Sequence, residues 1–338
     1  MRAVGYQSSL AVSDTASLVD IELPRPVPDG HDLLVSVKAV SVNPVDTKVR
    51  MRAQPEARAW KVLGWDAAGI VEAVGPQVIR FRPGDAVFYA GAIGRPGTNA
   101  EFHLVDERIV GVSPKSLSMA EAAALPLTAI TAWEALFDRL DIRKAVPGAA
   151  NAILIIGGAG GVGSIATQLV RQLTDLTVIT TASRPETVAW SQGLGAHHVV
   201  DHTKPLAAQV AEIGIGQPGF VFSTTNTDCH LAECAALIAP QGRFALIDDP
   251  GAVDVSPFKQ KSVSIHWEFM FTRSMFGTAD LAEQGRLLDE VSRLVDAGTL
   301  RTTLAETFGA ISAANLRRAH ALIESGRARG KIVLEGWT

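Results

Sequence analysis

The run Ile153-Leu-Ile-Ile156 gives way to Gly157, then to Gly158-x-Gly160-x-x-Gly163, and then to residues at helical spacing. Strand, glycine turn and helix in that order are what the holding of a dinucleotide pyrophosphate requires. In this reading Gly158 permits the tight turn, Gly160 admits the pyrophosphate to the backbone, and Gly163 lets the helix pack closely on its strand. Gly161 and Val162 complete the turn, and the helix start supplies free N–H groups and positive dipole. Val162, Ile165, Ala166, Leu169, Val170 and Leu173 recur at three- and four-residue steps, which gives the helix one apolar face.

The next strand decides between two cofactors. A carboxylate about 20 residues after the glycines would receive the ribose hydroxyls of NAD, whereas an arginine there accommodates the extra phosphate of NADP. Here Thr177-Val-Ile-Thr-Thr-Ala182 ends in Ser183-Arg184. A guanidinium fork suits a phosphate and Ser183 adds a hydroxyl donor, so NADPH is the expected cofactor. The alternative, a solvated loop arginine beside Glu186, stays open.

These residues need elements to carry them. A chain of 338 residues exceeds the usual size of one core, so two domains are expected. From residue 1 to 125 strands and turns dominate: Leu33–Val40 alternates, Gly69–Gly75 is short and closed by glycine, and Arg82-Pro-Gly-Asp85 is a turn before Ala86–Ala90. Ser118-Met-Ala-Glu121 is a capping box that starts a helix. From 126 to 270 strands and helices alternate, with further strands at His198–Asp201, Phe220–Ser223, Phe244–Ile247 and Val263–Trp267. That rhythm predicts a doubly wound parallel sheet, an α/β fold. Helices around 281–295 and 313–323 follow, and Lys331-Ile-Val-Leu334 is expected to return as a strand to the first domain, which would then comprise 1–125 and 271–338.

The formal charge of −4 is small and dispersed, and no Lys/Arg run alternates with aromatics, which argues against nucleic acid as a partner. No apolar stretch approaches the ~20 residues that span a bilayer, and Met1-Arg-Ala-Val-Gly-Tyr6 lacks the apolar core of a signal peptide, so a cytoplasmic protein without a membrane partner is expected. Cys229 and Cys234 stand five apart on a helix, on different faces, which speaks against a disulfide or a paired metal site.

Asn43-Pro-Val-Asp46, Gly64-Trp-Asp-Ala-Ala-Gly69, Arg82-Pro-Gly-Asp85, Leu125-Pro-Leu-Thr-Ala-Ile-Thr-Ala-Trp133, the glycine turn, Leu194–Asp201 and Gly330-Lys-Ile-Val-Leu334 occur in this order along nearly the whole chain. Together they resemble the medium-chain dehydrogenase/reductase superfamily, and within it the zinc-free quinone oxidoreductases. Thr181–Thr187 and Val105–Val110 look like the subgroup often labelled zinc-type alcohol dehydrogenase-like. The resemblance implies a GroES-like β-rich catalytic domain joined to a Rossmann cofactor domain. Catalytic zinc needs three protein ligands and an open position. By motif position the family's ligands fall on Asn43, Trp65 and Leu127, none of them a competent ligand, and Asp66 alone cannot hold the ion. Residues 91–112 contain no Cys for a structural zinc, and His103 stands alone. No metal is therefore expected.

Without zinc, reduction of a conjugated acceptor is easier than oxidation of an unactivated alcohol, because the added electron density delocalises. The resemblance thus implies an NADPH-dependent reductase of a small quinone or enone. Asn43 and Lys48 are candidates for contacts to substrate or ribose, and Tyr89 for a proton donor facing the cleft, with a structural tyrosine whose hydroxyl is satisfied, and solvent as the proton source, as the alternatives. The resemblance places Thr128 near the nicotinamide, with Thr131 in the same helix start. Thr224, Thr225 and Ile247 fall at the carboxyl ends of sheet strands, where ligands bind. Trp65, Phe269 and Phe271 are expected to line the substrate pocket, with residues 269–271 a dimer interface in the alternative. The edge strand Ser262–Trp267 commonly pairs with its symmetry mate in this superfamily, so a homodimer is expected. Two other readings remain open: an alcohol dehydrogenase with an unrecognised metal site, and a non-catalytic NADPH-binding sensor or structural protein.

Overall fold

The computed structural model describes residues 1–57 and 59–337. They divide into two units, Met1–Ile130 with Phe271–Thr338, and Thr131–Met270. The first division thus falls at 130/131, where the sequence suggested 125/126. The helix Pro126–Trp133 runs through that point without a break, so no loop or turn residue marks it.

The first unit opens with strands β1 (Arg2–Tyr6), β2 (Val19–Glu22), β3 (Asp32–Val42), β4 (Lys61–Val62), β5 (Ala67–Val74), β6 (Ala86–Tyr89), β7 (Phe102–Asp106) and β8 (Gly111–Val112). β3 is long because its residues alternate between an apolar core face and a partner-facing side, with Leu33, Val35, Val37 and Ala39 all buried. A helix at Pro44–Arg52, absent from the sequence reading, follows it. Asn43 caps that helix, Pro44 sits at its first turn and Arg50 and Arg52 at its last. Its apolar periodicity is weak because it buries polar residues, Asp46, Thr47 and Arg50, rather than a hydrocarbon stripe.

The second unit holds β9 (Ala150–Ile156), β10 (Thr177–Thr181), β11 (His198–Val200), β12 (Pro218–Ser223), β13 (Arg243–Leu246) and β14 (Ser264–Trp267). All pairings are parallel, in the order β11-β10-β9-β12-β13-β14. Counted from β9 this is the 3-2-1-4-5-6 order of a dinucleotide-binding sheet, whose order reverses between β9 and β12. Leu154, Ile179, Val221, Phe244 and Phe258 pack in its core, each contributing roughly 1.5–3 kcal/mol by leaving water. The helix Gly161–Leu173 buries Ile165, Ala166, Leu169 and Val170, the apolar face read from sequence.

The tail returns to the first unit. β15 (Leu304–Thr307) pairs with β16 (Lys331–Glu335), and β16 runs antiparallel to β3 with Ile332 opposite Val42. Among the described residues the larger sheet of this unit has seven strands and a smaller one three, β2-β1-β4. Cys229 is exposed and Cys234 buried, both free. Among the described residues, no helix is long and apolar enough to cross a membrane.

Candidate functional site

The carboxyl ends of β9, β12, β13 and β14 form one row, with Ile156 opposite Ser223, Ser223 opposite Leu246 and Leu246 opposite Trp267. The turn that leaves β9 is built from glycine for three different reasons. Gly157 has φ +80°, and a Cβ there would stand 2.5 Å from Thr224 Oγ1. The left-handed turn thus belongs to Gly157 and not to Gly158, whose constraint is a Cβ position 2.5 Å from Thr180. Gly163 has the close approach expected of it, since a Cβ would meet Gly157 O at 2.2 Å. At Gly160, the N-cap of Gly161–Leu173, the nearest atom is 3.3 Å away, so the backbone is open to a phosphate.

Further along the row, Thr224 donates its hydroxyl to Ile156 O at 2.7 Å and Thr225 is exposed. Ile247 is half-buried just past β13, beside Asp248, which accepts the Thr227 N–H at 2.9 Å and so anchors the next helix start. Arg184 stands three residues past the end of β10, at the N-cap of helix Pro185–Gly193, with Ser183 exposed before it. Its Nε lies 3.3 Å from Glu186 Oε1, so the guanidinium is already shared with a neighbouring carboxylate.

A second constellation, in the first unit, is made of buried side chains. β16 brings Lys331 opposite Asn43, and the ammonium donates to Val42 O at 3.1 Å, to Asp66 Oδ2 at 3.0 Å and to Asn43 Oδ1. Asn43 Nδ2 donates to Asp66 Oδ2 at 2.8 Å, and Asp66 Oδ1 accepts the Leu127 N–H at 2.7 Å. Asp46 Oδ2 accepts the Asn43 N–H at 2.7 Å. Burial raises the Asp66 carboxyl from its ordinary range against the pull of Lys331, and pushes Asp46 up to about 7. Asn43 is 1% exposed and its amide is committed to this network, which corrects its expected role as a contact for substrate or ribose. Lys48 is half-buried on Pro44–Arg52, and Thr128 is buried with its hydroxyl donated to Leu125 O at 3.1 Å.

The residues do not fit a zinc ion. Asn43 is engaged, the Trp65 indole has only an N–H to offer, Leu127 is apolar, and both Asp66 oxygens already accept hydrogen bonds. Among the described residues, no three His, Cys, Asp or Glu side chains are grouped to hold a metal. His103 is buried, with Nε2 2.9 Å from Pro96 O and Nδ1 3.2 Å from Tyr89 Oη. A carbonyl only accepts, so Nε2 carries the proton and Nδ1 accepts from the tyrosine hydroxyl. Burial pushes His103 down to about 4, which keeps it neutral.

Tyr89 is correspondingly fully buried, stacked on His103 with centroids 5.5 Å apart, and burial pushes its hydroxyl far above the ordinary tyrosine range. Its hydroxyl is already engaged by His103, which argues against Tyr89 as a proton donor. Trp65 and Phe271 meet edge to face at 6.1 Å, both buried, while Phe269 is 46% exposed and falls in the other unit.

The sequence reading missed a buried pair of acids in the second unit. Glu134 opens a π-helical turn, Glu134–Arg139, and both it and Glu268, which follows β14, are buried acids of this unit. Arg139 Nε is 2.9 Å from Glu268 Oε2. Burial and the Glu134 charge push Glu268 up to about 9. The available signal was a lone Glu among the apolar residues of 129–137.

Comparison with known proteins agrees with this architecture. Residues 29–130 match the alcohol dehydrogenase GroES-like domain and residues 194–334 the zinc-binding dehydrogenase family. The chain is 40% identical over 99% of both chains to a zinc-type alcohol dehydrogenase-like protein of Staphylococcus aureus. It is 29% identical to 2-methylene-furan-3-one reductase of Solanum lycopersicum, covering 91% of this chain and 73% of that one. A crystal structure from Rhizobium etli CFN 42, of a protein named as a candidate zinc-dependent alcohol dehydrogenase, is 70% identical over 100% of this chain and 98% of its own, with a TM-score of 0.99. A GroES-like unit, a Rossmann unit and relatives of this kind over the full length make the chain a member of the medium-chain dehydrogenase/reductase superfamily, a family of nicotinamide-dependent oxidoreductases.

Proposed function

We propose that the protein is an NADPH-dependent reductase of quinones or α,β-unsaturated carbonyl compounds that works without metal. One observation carries the reading: an intact phosphate-binding edge coexists with a set of metal-ligand positions taken by Asn43, Trp65 and Leu127. The reductase similar to this chain acts, by its name, on a conjugated exocyclic enone, which supports the acceptor class. When bound, NADPH supplies the hydride. The helix start at Gly161 and the open backbone at Gly160 hold the pyrophosphate, and Arg184 with Ser183 hold the ribose phosphate. Thr224, Thr225, Ile247 and, in the first unit, Thr128 are proposed as further cofactor contacts. The electron pair displaced in the acceptor would come to rest on its oxygen, where Lys48 is the proposed donor and solvent the proton source. Among the described residues β14 stands at the edge of its sheet, and its last residue, Trp267, is exposed, which supports a homodimer formed through that edge.

The test is oxidation of NADPH against NADH over a panel of ortho- and para-quinones and enones, with wild type and Arg184→Ala. NADPH preference that collapses in the variant, with turnover of a conjugated acceptor, is the expected result. Tight NADPH binding without turnover of any acceptor would overturn the enzyme reading in favour of a sensor.

A further inference from the structure

We propose that the Lys331 ammonium is the resident cation of the Asp66 site, standing where the names of the relatives imply zinc, and that through Asp66 it positions the first turn of helix Pro126–Trp133. The inference deepens the metal-free reading and rests on it only for the turnover arm below.

The geometry is closed at the ammonium and at both Asp66 oxygens. An ammonium has three N–H donors, and Lys331 places them on three acceptors, Val42 O, Asp66 Oδ2 and Asn43 Oδ1. Lys331 is 3% exposed and Asp66 fully buried, so neither charge has water as an alternative partner. Asp66 passes the constraint on, since its other oxygen takes the Leu127 N–H at 2.7 Å. That N–H belongs to the first turn of a helix, one of the donors that lack an intrahelical partner and need an external acceptor. Thr128 is the next residue, and its hydroxyl is held on Leu125 O within the same turn. The chain of contacts thus runs from β16 through Lys331 and Asp66 to the backbone at Thr128. A dication entering here would have to displace the ammonium from Asp66 while lying beside it, at a cost in like-charge repulsion, and Asp46, the neighbouring carboxylate, does not bring the ligands to the three that a zinc site needs. Lys331 is accordingly a positioning residue and a metal-excluding one.

The experiment is a double-mutant cycle of Lys331→Met, Asp66→Asn and the pair, read by thermal unfolding, by bound metal and by kinetics. We expect Lys331→Met to lower Tm by roughly 10 °C, because it strands a buried carboxylate, and Asp66→Asn added to it to restore about half of that loss. Expected kinetics are a fall in kcat of about tenfold with the NADPH KM within about twofold, the mark of lost positioning rather than lost cofactor binding. Cobalt(II) added to wild type is expected to give no tetrahedral d–d absorption. Additive Tm losses in the cycle, or a d–d band saturating at one cobalt per chain of wild type, would overturn the proposal. If Lys331→Met does not accumulate as folded protein, the wild-type cobalt titration and the kinetics of Asp66→Asn decide alone, with a band or an unchanged kcat counting against it. The unfolding and cobalt arms need no turnover, so an inactive protein would contradict the proposed reaction and leave this inference to be judged on its own.

Discussion

The phosphate-binding edge of the second unit and the Asp66 site of the first are built in opposite ways. The edge is made of backbone: glycines that leave room, a helix start that offers N–H groups, and a single half-exposed arginine. The Asp66 site is made of buried side chains gathered from β16, the end of β3 and the start of β5, saturated by one another. A backbone site waits for its ligand, whereas the side-chain site supplies its own cation and has no vacancy to fill. The two should therefore respond differently to substitution.

The largest contrast lies within the glycine turn. Gly163→Ala drives a Cβ to 2.2 Å from Gly157 O, so it should weaken NADPH binding by more than about 100-fold and lower Tm by several degrees. Gly160→Ala meets nothing closer than 3.3 Å and should leave Tm unchanged while still weakening NADPH about tenfold, as titration by cofactor fluorescence would show. Equal effects on Tm would break the distinction between a packing glycine and a ligand glycine.

How much of this was legible follows from the same contrast. The glycine turn and the six parallel strands were readable because each is written locally, as a period or a spacing within some thirty residues of chain. Asn43 and Asp66 were found through motif likeness, but Asn43 was given a contact role and Asp66 no partner, because the residue that defines both, Lys331, stands 288 residues from Asn43. A lysine heading the apolar strand Lys331-Ile-Val-Leu was the signal, and only the pairing of β16 with β3 gives it meaning. Gly157 was passed over because a spacing rule counts glycines without their φ. Tyr89 stayed open between a cleft donor and a structural tyrosine because strand alternation does not say that its hydroxyl already has His103.

The Glu134–Glu268 pair predicts a pH dependence. Glu268 is raised above the ordinary glutamate range to about 9, so the folded state binds more protons than the unfolded between those values. Its contribution to stability is therefore complete below the ordinary range and lost as pH rises through about 9. Scanning calorimetry from pH 5 to 10 should show wild-type Tm falling across that window, by about 5 °C, and a shallower fall in Glu268→Gln. A wild-type Tm that rises with pH there would reverse the assignment.

A smaller effect is expected from Tyr89→Phe. It should leave kcat within about twofold of wild type and cost about 1–2 kcal/mol in urea unfolding, because His103 Nδ1 loses its donor while no reacting group is touched. A hundredfold loss of kcat would restore Tyr89 as a proton donor. The smallest change should come from Glu186→Gln, which frees Arg184 from its carboxylate neighbour and should raise the NADPH-over-NADH ratio of kcat/KM by about two- to fivefold. An inverted ratio would assign the pocket to Glu186 and to NADH.

The most direct test of the central claim, reduction by NADPH without a metal, is enone reduction measured before and after exhaustive dialysis against a chelator, with metal content determined on the same samples. Unchanged kcat with far less than one metal ion per chain is the predicted result. Activity that disappears on chelation and returns with one zinc per chain would contradict it.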